Sequence, residues 1–363
     1  MTDTPYLLVD DAVLRRNLET LAEQVAAHGL ELRPHAKTHK CAQVARRQMD
    51  CGATGLTVAT IGEAEAFAAA GFTDLFIAYP LWLSDDKAAR LRALTESVAA
   101  GGATIRVGVD SIAGAQRLAA GLAGAPVEVM VEIDSGQHRT GVAPGEAGAL
   151  AAAAREAGLT VVGVFTFPGH GYGPGDARRD AARQEAEALS TAAESLRHSG
   201  IEPRVISGGS TPTVAFTGAG ELTEVRPGVY PFNDAQQVEL GSCTWDDVAL
   251  VAVATVVSTD AQVPEPRRRA VLDAGSKVLG ADRPAWTTGF GRLPDHPDAR
   301  ITSLSEHHAV VEFPPDAAAP ALGDRVRVAP NHVCSAVNLA DELVAQTANG
   351  LEHWPLLARG ANR

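Results

Sequence analysis

Between about residues 30 and 230, short apolar runs rich in β-branched residues alternate with longer Ala-rich amphipathic stretches. The runs predict strands at 30–35, 55–59, 74–78, 104–109, 127–133, 160–165, 204–206 and 222–225. The intervening stretches predict helices, among them 84–100, 111–123, 144–157 and 176–199, whose interiors carry Ala, Leu, Glu and Arg. Ser84 and Ser111 stand where an N-cap hydroxyl is wanted. Gly71, Gly101, Gly158 and Gly200 stand where helices should stop. Eight strand–helix units of this kind predict a parallel (β/α)8 TIM barrel. A doubly wound open sheet is the alternative, weakened because no GxGxxG follows the first strand.

After about residue 245 the texture changes. Runs at 248–259, 268–273, 307–313 and 324–328 read as strands between Pro- and Gly-rich turns, with little helix signal. The chain therefore divides into an α/β barrel at 10–240 and a C-terminal mainly-β domain at 241–363. The opening strand at 6–9 is expected to join the latter, because the barrel count is complete without it.

Composition narrows the function. The formal net charge of −13, from 31 Lys+Arg against 44 Asp+Glu, argues against a nucleic-acid or anionic-membrane surface. No run of about 18 apolar residues predicts a membrane helix, and the N-terminus lacks a basic-then-apolar signal pattern, so a soluble cytoplasmic protein is expected. Cys41, Cys51, Cys243 and Cys334 show no paired spacing and are expected to be mostly reduced.

The chemistry gathers at predicted strand ends, the face where barrel enzymes place their sites. Lys37, in Arg33-Pro-His-Ala-Lys-Thr-His-Lys40, ends the first strand. An amine there can hold an aldehyde cofactor if burial or a nearby cation keeps it neutral. Ser207-Gly208-Gly209-Ser210-Thr211 follows strand seven, and Arg226-Pro-Gly228-Val-Tyr230 follows strand eight. Glycine backbone N–H groups and the hydroxyls of Ser210, Thr211 and Tyr230 predict a phosphate cradle. Lysine plus cradle fits pyridoxal 5'-phosphate (PLP). Arg139, in the run after strand five, is the candidate cation. His170 and Tyr172, in Gly169-His-Gly-Tyr172 after strand six, are candidates to orient substrate or cofactor.

A second signal lies in Pro330-Asn-His332-Val-Cys334. In an extended segment the period of two would put His332 and Cys334 on one side, and imidazole plus thiolate suits Zn²⁺. A third ligand, such as Glu306, His307 or His308, cannot be placed by sequence.

Together these segments (RPHAKTHK, DSGxxRTG, GHGY, SGGSTPT, RPGVYxFND and the late HxC) resemble the D-threonine aldolase/eukaryotic-type D-serine dehydratase family over nearly the whole chain. These are fold-type III PLP enzymes with an alanine-racemase-like N-terminal domain. The resemblance implies that Lys37 carries PLP and that His332 and Cys334 alone hold a divalent metal beside the substrate's β-hydroxyl. It also implies a small D-amino acid substrate and a homodimer. His-x-Cys rather than His-x-Asp implies the dehydratase side, with Zn²⁺ rather than Mn²⁺ or another divalent ion. The expected reaction is D-serine to pyruvate and ammonia. Retro-aldol cleavage of D-threonine to glycine and an aldehyde is the alternative. An amino-acid racemase and a non-catalytic PLP carrier rank lower, since neither uses an HxC pair.

Overall fold

The computed structural model describes residues 3–218, 220–259 and 268–363. They fold into two compact units. One comprises Thr20–Lys37, Ala45–Gly228 and Gly360–Arg363; the other comprises the segment up to Glu19, Thr38–Val44 and Val229–Arg359.

The first unit holds the barrel. Its strands in chain order are Glu31–Leu32, Leu56–Val58, Leu75–Pro80, Ile105–Val109, Glu128–Glu132, Thr160–Phe165, Val205–Gly208 and Glu224–Val225. Every pairing is parallel, and the first strand also pairs with the eighth. A parallel bridge between His35 and Thr57 joins the curled sheet across its remaining seam. All eight strands read from the sequence are present. The helices follow their expected signals: Ser84 accepts the Lys87 N–H ahead of Asp85–Ala100, and Ser111 accepts the Gly114 N–H ahead of Ile112–Leu122. Gly71, Gly158 and Gly200 take the left-handed conformation that ends a helix. Gly101 does not (φ −86°); Gly102, at φ +79°, takes that turn instead.

The barrel interior carries aromatic packing and a charge network. Phe76 and Phe165 meet edge to face at 5.0 Å. Arg33, 1% exposed, donates Nε to Glu224 Oε2 at 2.6 Å and Nη1 to Asp74 Oδ1 at 2.7 Å. Arg106 donates Nη1 to the same Glu224 oxygen at 3.3 Å. Ser207 donates its hydroxyl to Glu224 Oε1 at 2.6 Å, and Arg226 donates to Ser207 Oγ and to the Thr166 carbonyl. Burial opposes the Arg33 charge, yet Glu224 and Asp74 hold its guanidinium above the ordinary range.

The second unit is mainly β. Its sheet is centred on Leu250–Thr259, which pairs antiparallel with Tyr6–Asp10, Arg268–Leu272 and Arg325–Pro330. The opening strand thus lies in this sheet, where it also pairs parallel with Glu342–Thr347. The sparse helix signal after residue 245 needs correction, because Ser276–Leu279 and Val333–Leu339 are helical. Neither has a strong local start signal. The Val333 N–H at the start of the second is capped by the Asp234 carboxylate at 3.0 Å, a partner distant in sequence.

Candidate active site

At the end of the first barrel strand the chain tightens into the 3₁₀ turn Ala36–Thr38, which presents the half-buried Lys37. Lys37 Nζ lies 5.8 Å from the centre of the Phe167 ring, and the Arg139 guanidinium lies 5.3 Å from the same centre. Both basic side chains thus lie against one aromatic ring, whose quadrupole attracts a cation at its face. Phe167 belongs to the loop after strand six, and its ring lies 6.1 Å from that of Tyr172. His170, in the turn Gly169–Gly171, places Nε2 2.8 Å from Gln184 Oε1. Its Nδ1 is buried with no hydrogen-bond partner among the described residues. Arg139 follows a loop ordered by Asp134, which accepts the N–H groups of Gly136 at 2.9 Å and His138 at 3.0 Å.

The turn after strand seven divides its groups between two tasks. Ser207 is fully buried with its hydroxyl committed to Glu224. Gly208 ends the strand, and Gly209 turns the chain at φ +75°. The Gly209 N–H donates to Glu185 Oε1 at 2.7 Å; the Ser210 N–H donates to Thr213 Oγ1 at 3.0 Å, and the Ser210 hydroxyl bonds to it at 2.9 Å. Thr211 follows, buried, at the head of the same loop. Gly228 is half-buried after strand eight, and Tyr230 is buried in the other unit. Arg226, fully buried, has its charge disfavoured by burial and partly restored by Glu224, Glu185 and Glu132.

In the second unit His332 and Cys334 converge, though not by the alternation of a strand. His332 is the extended N-cap of Val333–Leu339, and Cys334 stands in that helix's first turn. Cys334 raises the His332 imidazole well above its ordinary range; burial opposes the shift and Asp234 adds to it. Asp234 Oδ2 lies 3.5 Å from His332 Nδ1. That carboxylate is fully buried and also caps the helix Ala235–Glu239 through the Gln237 N–H at 2.9 Å. Cys334 Sγ lies 3.2 Å from Thr38 Oγ1, and Lys40 Nζ donates to Asn338 Oδ1 at 2.7 Å. Residues 334 and 338 are one helical turn apart, so Thr38 and Lys40 grip a single face of the helix. Glu306 pairs with Lys277 at 3.0 Å, and the described residues contain no cluster of three or more His, Cys, Asp or Glu able to hold a metal. Sequence reasoning misses Asp234, Thr38 and Phe167 as site residues. Asp234 is the last residue of the RPGVYxFND run, and Thr38 directly follows Lys37.

Comparison with known proteins places the chain in a family. Residues 9–235 match the alanine racemase N-terminal domain, and residues 249–345 match a putative serine dehydratase domain. The chain is 35% identical to D-threo-3-hydroxyaspartate dehydratase of Delftia sp. (strain HT23), covering 92% of this chain and 91% of that one. It is also 35% identical to D-threonine aldolase of an Arthrobacter species, covering 99% and 94%. A solved form of the Delftia enzyme superposes with a TM-score of 0.88 at 32% identity, over 98% of each chain. That form is a cysteine-to-alanine variant in a metal-free state, and another solved variant replaces a histidine two positions earlier. With both domains present in order and identity at this level over the full length, the chain belongs to the D-threonine aldolase/D-serine dehydratase family of fold-type III PLP-dependent lyases.

Proposed function

We propose that this protein is a metal-assisted dehydratase of D-β-hydroxy amino acids, with D-serine converted to pyruvate and ammonia as the expected reaction. The observation that carries the reading is the convergence of the His332 imidazole and the Cys334 thiol, backed by the Asp234 carboxylate. A divalent cation would bind such a pair by displacing protons from it. The donor set is borderline-soft, which favours Zn²⁺ over a harder ion. The His–x–Cys spacing also matches the pair of positions replaced in the Delftia dehydratase variants.

The barrel residues fit PLP. A lysine amine stands near an aromatic ring with an arginine beside it, and a left-handed glycine turn with hydroxyls follows strand seven. PLP supplies an electron sink for charge released at the substrate's α-carbon, and the metal supplies a Lewis acid for its β-hydroxyl. Lys37 Nζ would hold the cofactor aldehyde and would take the substrate's α-proton. Phe167 and Arg139 keep that amine in place. Asp234 fixes the His332 ring, and Thr38 fixes the Cys334 sulfur. Ser210, Thr211, Gly228 and Tyr230 contribute to seating the phosphate, while His170 and Tyr172 orient the substrate. A homodimer is the expected assembly.

Retro-aldol cleavage is the second reading, supported by the full-length similarity to an aldolase. Incubation with D-serine, D-threo-3-hydroxyaspartate and D-threonine in turn, with Zn²⁺ or Mn²⁺, separates the two. A keto acid and ammonia are expected; glycine plus an aldehyde would replace the dehydratase reading. Lys37→Ala should abolish the near-visible absorbance of bound PLP, and an unchanged band would remove Lys37 from the mechanism. Cys334→Ala should retain that band but lose metal and dehydration; full activity in a chelated enzyme would remove the metal.

A further inference from the structure

The turn that follows strand seven is supported by a group that belongs to no sequence motif. Glu185, on the helix Ala177–His198, is 1% exposed, and its Oε1 accepts the Gly209 N–H at 2.7 Å. A side chain on Gly208 would begin 2.5 Å from that oxygen, so the carboxyl packs directly against the glycine pair. Its other oxygen is buried with no hydrogen-bond partner among the described residues.

We propose that Glu185 is the positioning acid of the cofactor's phosphate turn, holding the Gly209 N–H from one side and binding a proton when the turn receives a phosphate dianion. The inference rests on the reading that Ser210 and Thr211, directly after Gly209, help to seat the phosphate. A neutral carboxyl still accepts the Gly209 N–H through its carbonyl oxygen. An ionised one sets a negative charge against a turn that must attract an anion, in a region where water screens little. The surroundings favour the neutral form. Burial pushes the Glu185 carboxyl up to about 7, against the opposing pull of the Gly209 N–H and Arg226. Arg226 from the end of strand eight is the principal facing cation, itself engaged with Ser207 and Thr166. Arg179, Arg183 and Glu187 on the same helix, and Glu221 just before strand eight, line with Glu185 a cavity of about 400 Å³. Their mixed signs leave Arg226 as the main counterweight. Phosphate binding at a pH above about 7 therefore draws one proton from solvent onto Glu185.

The test compares PLP with pyridoxal, which has the same aldehyde but no phosphate, so the affinity ratio isolates the turn from Lys37. In the wild type the PLP-over-pyridoxal preference should fall roughly tenfold between about pH 6.5 and about pH 8.5, relative to Glu185→Gln. Glu185→Gln keeps the acceptor for Gly209 and cannot ionise, so its preference should hold across that range. No preference for PLP in the wild type at any pH would sink the phosphate-turn reading itself. A preference that changes with pH identically in both proteins would overturn the role of Glu185 alone. Should Glu185→Gln not fold, calorimetry on the wild type in buffers of different ionisation enthalpy decides. Binding at about pH 8 should take up about one proton more with PLP than with pyridoxal, and no excess uptake refutes the proposal.

Discussion

The Arg33–Glu224 network of the barrel and the cluster at the head of helix Val333–Leu339 both bury charge, but they complete it differently. In the barrel, Glu224 accepts from Arg33, Arg106 and Ser207, and Arg33 directs its remaining donors to Asp74. In the cluster, His332 Nδ1 and both amide atoms of the buried Gln237 lack close hydrogen-bond partners among the described residues. Buried polar atoms are almost always paired, and each exception calls for a reason. The first region is closed upon itself and stabilises the fold. The second leaves polar atoms open, and the proposed metal would give them a use.

That contrast can be broken at either end. The largest expected effect is on the closed network: Glu224→Gln leaves Arg33 buried with only half its charge partners and should cost about 3–5 kcal/mol. Urea unfolding measures it, and a loss below about 1 kcal/mol would show that the network is not a structural unit. Next comes the open cluster. Asp234→Asn removes the charge that orients the His332 imidazole and should weaken metal binding about 10- to 100-fold with little change in PLP absorbance. Chelator competition reads the affinity, and unchanged binding would detach Asp234 from the site. The smallest effect concerns the network's rim. Arg106 is more exposed than Arg33 and shares Glu224 with it, so Arg106→Met should cost about 1 kcal/mol. A cost equal to that of Glu224→Gln would mean that the rim and the centre are equally essential.

What can be read in the sequence is what neighbours in sequence decide. Strand runs, the Ser84 and Ser111 caps and the lysine at a strand end all depend on residues within a few positions of one another. Alternation brings His332 and Cys334 together for the wrong reason. It presumes a strand, whereas the cap that turns Val333 into a helix start comes from Asp234, far back along the chain. Arg33 and Glu224 pair across adjacent barrel strands, and Glu185 looks like any acid on a charged helix until its burial beneath Gly209 is seen. Partners chosen by the closure of a sheet leave no periodic trace.

The family boundary falls between residues 235 and 249, which invites a view of the tail as an interchangeable part. The grip of Thr38 and Lys40 on Cys334 and Asn338 argues otherwise. Residues directly after Lys37 are anchored in the tail, so a chimaera joining this barrel to a foreign tail would leave Thr38 and Lys40 without these partners. The helix and the lysine segment thus form one packed piece that crosses the boundary drawn by the sequence families.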